Sequence, residues 1–383
     1  MQNFTFHNPT KIVFGQGTLE QIGVEVASYG KKALYIYGKG SIKKNGVYDK
    51  TVASLKSAGI ELVEFGNVKA NPILSHTRQG VALAKREKVE MIVAVGGGSV
   101  IDEAKAIAAG AVTETDVWEF YLGRQKLEAA LPLLSVLTMS ATGTEMNGGT
   151  VITNEETKEK LGLSDPHLYP KASIMDPTTL VSVPADQTAF GAVDAVTHLL
   201  ESYFTQEDKY TPIQDRYVEG IVRTITEITE AQQKNPNDLT ARATFMWAAT
   251  LAWNGLAPSG VGKWALPNHL IGHSMSALHD TPHGASLSIS LSGWLPWYAE
   301  QNGGAARLAQ LGKAVFDVLT AEKTIESFRA WFRSIGSPTT LADIGVDDTG
   351  LVKIAENIGH CAPLWGLPEY TATFCDAILR RCR

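Results

Sequence analysis

Between about residues 10 and 180 the apolar positions cluster in short runs, at 33–37, 61–65, 91–95 and 133–137, each followed by glycine or threonine. Longer stretches between them, such as 49–58 and 76–87, carry apolar residues at helical spacing. Short apolar runs alternating with amphipathic stretches predict βαβ units around a parallel sheet, whose strands are buried on both faces. After Pro184 the pattern changes: 188–205, 213–231 and 239–256 keep helical spacing and strand-like runs disappear. The sequence therefore predicts an α/β domain over 1–183 and an all-helical domain over 184–383, joined where Asp176-Pro177 and Val183-Pro184 bracket a connector. No internal repeat, charge block or low-complexity linker interrupts either part. A ligand is expected in a cleft between the two domains.

Composition narrows the class. At 383 residues the chain exceeds the size at which single cores stop growing, roughly 250–300 residues, which agrees with two domains. A net charge of −6 argues against nucleic acid as a main partner. Apolar residues at 44% supply a core, while only 19% are charged, and neither disorder nor a coiled coil fits that balance. The three cysteines, Cys361, Cys375 and Cys382, lie at one end with no paired spacing, so a reducing compartment is expected. The first residues lack a basic segment followed by an apolar one, and no run approaches the ~18 apolar residues of a membrane helix. Cytoplasmic localisation of the whole chain follows as the expectation, with no membrane partner.

Two glycine-rich turns carry the first chemistry. Gly96-Gly97-Gly98-Ser99 follows an apolar run and opens a helical one around Asp102. Glycines allow close backbone approach and a helix start offers free N–H groups, a combination suited to a pyrophosphate. Gly38-Lys39-Gly40-Ser41, with Lys43 and Lys44 behind it, follows the earlier run at 33–37. Small and basic groups there suit the 2′-phosphate of NADP, where an NAD site usually places a carboxylate. Asn71 and the 138–147 segment are further polar turns at expected strand ends.

The second chemistry lies in the helical half. Asp194 and His198 are four apart on one predicted helix, as are His269 and His273, and His279 and His283 follow. Carboxylate and neutral imidazole are ligands of Zn²⁺ and Fe²⁺, and a spacing of four presents two of them on one helical face. Spacing alone offers these six candidates for about four positions. Pro282 should end the helix and turn His283 back toward the others.

With these motifs in place the sequence resembles the iron-containing, or group III, alcohol dehydrogenases, and within them the NADP-dependent butanol dehydrogenase and aldehyde reductase branch. The resemblance runs nearly end to end. It is carried by 9–15, by Gly96 to Ser99 with Asp102 and Lys105, by 138–147, by Asp194 with His198, and by His269 through His283. It implies a Rossmann-like α/β domain plus an all-α domain, the dehydroquinate synthase-like fold. It further implies that Asp194, His198, His269 and His283 bind one divalent ion, Fe²⁺ or Zn²⁺, with His273 close to the nicotinamide. Cofactor contacts are implied for Gly38, Gly40, Ser41, Asn71, Gly97, Gly98, Ser99, Thr138, Thr142, Asn147 and Lys160. The segment Met139-Ser140-Ala141-Thr142 departs from the family's usual Thr-Ala-Gly wording, and His279 stands where many relatives have tyrosine. NADP(H) is the expected coenzyme, because NAD-using relatives tend to carry aspartate where this chain has Gly38.

The expected reaction is reversible hydride transfer between NADP(H) and a small primary alcohol or aldehyde such as butanol or butanal, with His273 as candidate proton relay. Trp253, Trp264 and Phe245 are candidates for an apolar substrate wall. A homodimer is implied by the resemblance and by the frequency of twofold oligomers. The rival readings are a zinc polyol (glycerol-type) dehydrogenase on the same scaffold and, more distantly, a metal-dependent phosphohydrolase.

Overall fold

The computed structural model, which describes residues 1–383, turns each of the four apolar runs into a strand. In chain order the strands are β1 (Lys11–Phe14), β2 (Lys32–Tyr37), β3 (Glu61–Phe65), β4 (Met91–Gly97), β5 (Leu133–Met139), β6 (Gly149–Asn154), β7 (Glu159–Ser164) and β8 (Ala172–Met175). Six of them form one parallel sheet in the order β1-β8-β5-β4-β2-β3, and β6 and β7 make a separate antiparallel hairpin. Met91 to Val95 have no exposed surface at all, which is why β4 reads as an unbroken apolar run rather than an alternating one. Around the sheet lie α1 (Ile22–Val26), α2 (Ser41–Lys44), α3 (Val47–Ser57), α4 (Leu74–Glu87), α5 (Gly98–Gly110) and α6 (Trp118–Tyr121). Ile22, Val26, Val47 and Leu55 pack on Tyr35, Val93, Val95 and Val136 to build the core on one face.

The strand order fixes where a ligand can enter. From β2 the chain steps outward to β3, returns past β2 to β4, and continues the same way to β5. The direction reverses between β2 and β4, and an open α/β sheet leaves a crevice at the carboxyl ends of its strands at such a point. Both glycine-rich turns follow these two strands.

The rest is helical: α7 (Ala185–Thr205), α8 (Pro212–Lys234), α9 (Leu239–Ala252), α10 (Pro267–His279), α11 (His283–Ala299), α12 (Gly304–Phe316), α13 (Ala321–Ser334), α14 (Asp348–Cys361) and α15 (Ala372–Leu379). Two compact units result. One holds His7–Val183 with Pro236–Met246, and the other holds Met1–Phe6, Pro184–Asn235 and Trp247–Arg383. No helix is long and apolar enough to cross a membrane.

Two local features aim α11. Asp280 takes a left-handed conformation (φ 51°) that ends α10, and Pro282 stands just before the new helix. Asp is among the few residues that tolerate that conformation. The second residue of α11, Gly284, lies so close to α7 that a Cβ there would come within 2.0 Å of the Phe190 carbonyl oxygen. Only glycine permits this approach, one helical turn before Asp194.

Candidate active site

The helix geometry collects four side chains. Asp194 and His198 are one turn apart on α7, His269 lies in the first turn of α10, and His283 is the first residue of α11. A single carboxylate oxygen, Asp194 Oδ1, has His198 Nδ1 at 3.6 Å, His269 Nε2 at 3.7 Å and His283 Nε2 at 3.5 Å. These separations are too long for good hydrogen bonds. They are near the roughly 3.4 Å edge of a tetrahedron around a shared centre, although only Asp194, His198 and His269 form a set whose donor atoms are all mutually within 4.8 Å. Asp194 Oδ1, His198 Nδ1 and His269 Nε2 are buried and make no hydrogen bond. Leaving a carboxylate oxygen and two ring nitrogens enclosed without partners is costly unless a cation completes them. The donor set, one acid and three imidazoles, suits a divalent ion such as Zn²⁺ or Fe²⁺.

Electrostatics point the same way. Burial pushes His198 down to about 3, against the opposing pull of Asp194, so its ring is neutral and offers a lone pair. Burial acts on His269 too, but the carboxylates of Asp194 and Glu201 outweigh it and lift the group to about 9. The two acids thus draw positive charge to this spot, which a proton or a divalent cation can supply.

Of the other two histidine candidates, His273 borders the four and His279 does not. His273 is buried with its ring 5.0 Å from that of His283 and 6.2 Å from that of His269. His279 is exposed at the end of α10, its position beside Gly350 rather than beside Asp194. Trp253 lies against the His198 ring at 4.6 Å and Trp264 meets Trp253 edge-on at 5.6 Å. Phe245 is a buried residue of α9.

Several residues of this region escape a reading of spacing. Glu201 Oε1 accepts the His269 backbone N–H at 2.9 Å and faces its Nδ1 at 3.0 Å. Asn268 donates to Glu201 Oε2 at 3.4 Å, and Ser290 donates to Asn268 Oδ1 at 2.9 Å. Trp365 packs edge-on against His273 at 4.8 Å. Glu201 lies seven residues after Asp194 and three after His198, a spacing that keeps it on the same helical face and was its one available signal.

In the sheet unit the turn 96–99 closes β4 and opens α5, whose first turn has no side-chain cap. None of its glycines has positive φ; they are required by close approach. A Cβ at Gly98 would sit 2.5 Å from Thr142 Oγ1, and one at Gly96 would collide with Val100. A Cβ at Gly38 would make only ordinary contacts, 3.7 Å from the Val68 carbonyl oxygen and 3.8 Å from Val100 Cγ2, whereas Gly40 needs its left-handed φ of 106° to start α2 at Ser41. Ser99 Oγ donates to the Ala70 carbonyl, next to Asn71, and Lys160 Nζ donates to Asn71 Oδ1 at 2.9 Å. Thr138 lies near the end of β5. The expected cofactor residues thus sit at or beside the carboxyl ends of β2 to β5, with Lys160 brought in by the β6–β7 hairpin. Asn147 is tied into its own turn, donating to Gly143 O at 2.8 Å and accepting from Gly149 N–H at 2.7 Å.

That turn is held by Lys105, whose fully buried Nζ donates to Thr144 O (2.8 Å), Thr144 Oγ1 (2.7 Å), Asn147 O (2.8 Å), Asn147 Oδ1 (3.2 Å) and Gly149 O (2.7 Å). Asp102 completes the group by accepting from Thr144 Oγ1 at 2.6 Å and Val151 N–H at 3.0 Å. Burial draws the lysine below and the aspartate above their ordinary ranges, while their mutual attraction opposes both shifts. Five acceptors around one nitrogen favour the charged ammonium.

The chain is similar to known proteins along most of its length. Residues 9–177 match the family model described as iron-containing alcohol dehydrogenase, and residues 188–364 match that of the Fe-containing alcohol dehydrogenase family, C-terminal. The chain is 37% identical to NADH-dependent butanol dehydrogenase A of Clostridium acetobutylicum, over 93% of this chain and 92% of that one. It is 35% identical to the NADPH-dependent aldehyde reductase YqhD of Escherichia coli, over 94% and 93%. Among solved structures, the NADH-dependent butanol dehydrogenase A of Thermotoga maritima superposes with a TM-score of 0.95 at 44% identity, covering 100% of this chain and 99% of that one. This chain belongs to the iron-containing alcohol dehydrogenase family.

Proposed function

We propose that the protein interconverts small primary alcohols and aldehydes, butanol and butanal among them, using a nicotinamide coenzyme and one divalent ion held by Asp194, His198, His269 and His283. The observation that carries this reading is the convergence of three imidazole nitrogens on one buried carboxylate oxygen at 3.5–3.7 Å. A divalent ion bound there would supply polarisation of the substrate oxygen, and the coenzyme would supply or accept the hydride. Asp194 brings the negative charge that holds the ion, and neutral His198 brings a lone pair. His273, buried beside His283 and Trp365, is the residue assigned to pass a proton to or from the substrate oxygen. Trp253 against His198, with Trp264 behind it, supplies an apolar wall that favours an alkyl chain over a polyol. One acid and three imidazoles serve a single ion, whereas a two-metal hydrolase needs two ions roughly 3.5–4 Å apart.

For the coenzyme the favoured reading is NADP(H), because no carboxylate stands at Gly38 to meet a 2′-phosphate and Ser41 and Lys43 follow it. One feature favours NADH instead: Lys43 Nζ is already engaged by Tyr37 Oη at 2.9 Å and by Glu64 at 3.6 Å. The names of the C. acetobutylicum and T. maritima relatives accord with that second reading. Elemental analysis of protein purified without added metal, paired with NADPH and NADH oxidation in the presence of butanal, tests the whole. One ion per chain and butanal-dependent turnover are expected; a metal-bearing protein that oxidises neither coenzyme contradicts the reaction.

A further inference from the structure

We propose that Glu201 is the positioning residue that sets the affinity of the metal centre, by holding His269 with Nε2 bare toward the ion and by supplying the second negative charge that balances it. This rests on Asp194, His198, His269 and His283 being the ligands.

Glu201 is almost fully enclosed, at 1% exposure, so its hydrogen-bond partners are those of the chain. Its carboxylate accepts from the His269 backbone N–H at 2.9 Å and the Asn268 amide at 3.4 Å, and His269 Nδ1 lies 3.0 Å from the same group. The orientation of that amide is itself fixed. Ser290 donates to Asn268 Oδ1, which turns the NH₂ group and not the oxygen toward Glu201. A carboxylate that only accepts commits the His269 Nδ1 to carrying hydrogen, and a neutral ring then keeps its lone pair on Nε2, the nitrogen 3.7 Å from Asp194 Oδ1. A carboxylate behind a ligating imidazole also raises its basicity as a ligand. Charge agrees with geometry. Asp194 and Glu201 contribute −2 and neutral imidazoles contribute nothing, so a divalent ion leaves the buried group neutral. Without the Glu201 charge the same ion leaves one positive charge enclosed, which is strongly unfavourable. Glutamine at this position keeps the shape but not the chemistry: if its oxygen faces His269, its NH₂ opposes the Asn268 NH₂.

The test is zinc affinity, measured by chelator competition on the whole metal-free chain for wild type, Glu201→Gln and Ser290→Ala, with melting curves with and without zinc. Glu201→Gln is expected to bind zinc about 10–100-fold more weakly and to show a smaller zinc-induced rise in melting temperature, while still melting cooperatively without metal. Ser290→Ala, which only frees the Asn268 amide, is expected to weaken zinc about threefold, a fraction of that range. Zinc affinity within twofold of wild type in Glu201→Gln overturns the inference. If that variant does not fold, unchanged affinity in Ser290→Ala overturns it instead. A wild type that takes up no zinc overturns the ligand reading beneath it, a distinguishable failure.

Discussion

Lys105 in the sheet unit and Asp194 in the helical unit are both almost completely enclosed, at 0% and 2% exposure, yet their surroundings differ in kind. Around Lys105 every direction ends in an acceptor of the same chain, and Asp102 is equally well supplied with donors. Around Asp194 three imidazole nitrogens stop 3.5–3.7 Å short, and its Oδ1 has no hydrogen bond. Both arrangements bury charge, which costs several kcal/mol per ion before compensation. The first is compensated internally and holds the 142–149 turn in place. The second is compensated only by something added. Satisfaction of the buried atoms, more than burial or charge, separates scaffold from site here.

The contrast can be broken by exchanging its members. Asp194→Asn should lower turnover about a thousandfold or more, the several kcal/mol that a Lewis acid supplies, with loss of bound metal. The metal-free variant should melt close to metal-free wild type, because Asp194 Oδ1 makes no hydrogen bond within the chain; a large fall in its melting temperature would show that Asp194 is scaffold after all. Lys105→Met should do the reverse, costing about 3–5 kcal/mol in urea unfolding with or without metal, since Asp102 and the carbonyls of the turn lose their common donor. A stability loss that metal restores would erase the distinction.

Smaller effects sharpen it. A Cβ at Gly38 would make only ordinary contacts, at 3.7–3.8 Å, while one at Gly98 would lie 2.5 Å from Thr142 Oγ1, so of the two only Gly38 can take a Cβ without a clash. Gly38→Asp should move the ratio of kcat/KM for NADPH over NADH about tenfold toward NADH, roughly 1.4 kcal/mol. An unchanged ratio would show that this turn does not face the 2′-position. His76 is an intermediate case, half-buried and satisfied by Glu103 Oε1 at 2.7 Å while stacked on Phe65 at 4.5 Å. The Glu103 hydrogen bond outweighs partial burial and raises the imidazole above its ordinary value. A raised folded value means stability fully present below the unfolded value of about 6.5 and lost as pH climbs through the folded one. His76→Gln should therefore lower stability by about 1 kcal/mol at pH 6, with the gap closing toward pH 9. A gap independent of pH would contradict the charged pair.

Much of this was legible beforehand, for identifiable reasons. The runs at 33–37, 61–65, 91–95 and 133–137 are strands buried on both faces, so continuous apolarity marked them. The four-residue strands β1 and β8 were too short for any pattern to develop, and β7, Glu159–Ser164, reads as polar because it lies in a two-stranded hairpin. At the candidate metal centre the residue types were visible in sequence, and spacing left six candidates open. The left-handed Asp280 and the tight seat of Gly284 against Phe190, beside which His283 comes to 3.5 Å from Asp194, have no sequence period. Glu201 and Lys105 illustrate the remaining limit. Buried charges on helices look like any solvated polar residue until their partners, 67–68 and 39–44 positions away, are brought against them.

The central claim is that Asp194, His198, His269 and His283, on α7, α10 and α11, surround a cation. Anomalous diffraction from crystals grown with zinc tests it most directly. The account predicts one peak per chain, roughly 2.1 Å from Asp194 Oδ1, His198, His269 Nε2 and His283 Nε2. Zinc density that avoids these four side chains, with Asp194 paired instead to a protonated imidazole, would contradict it.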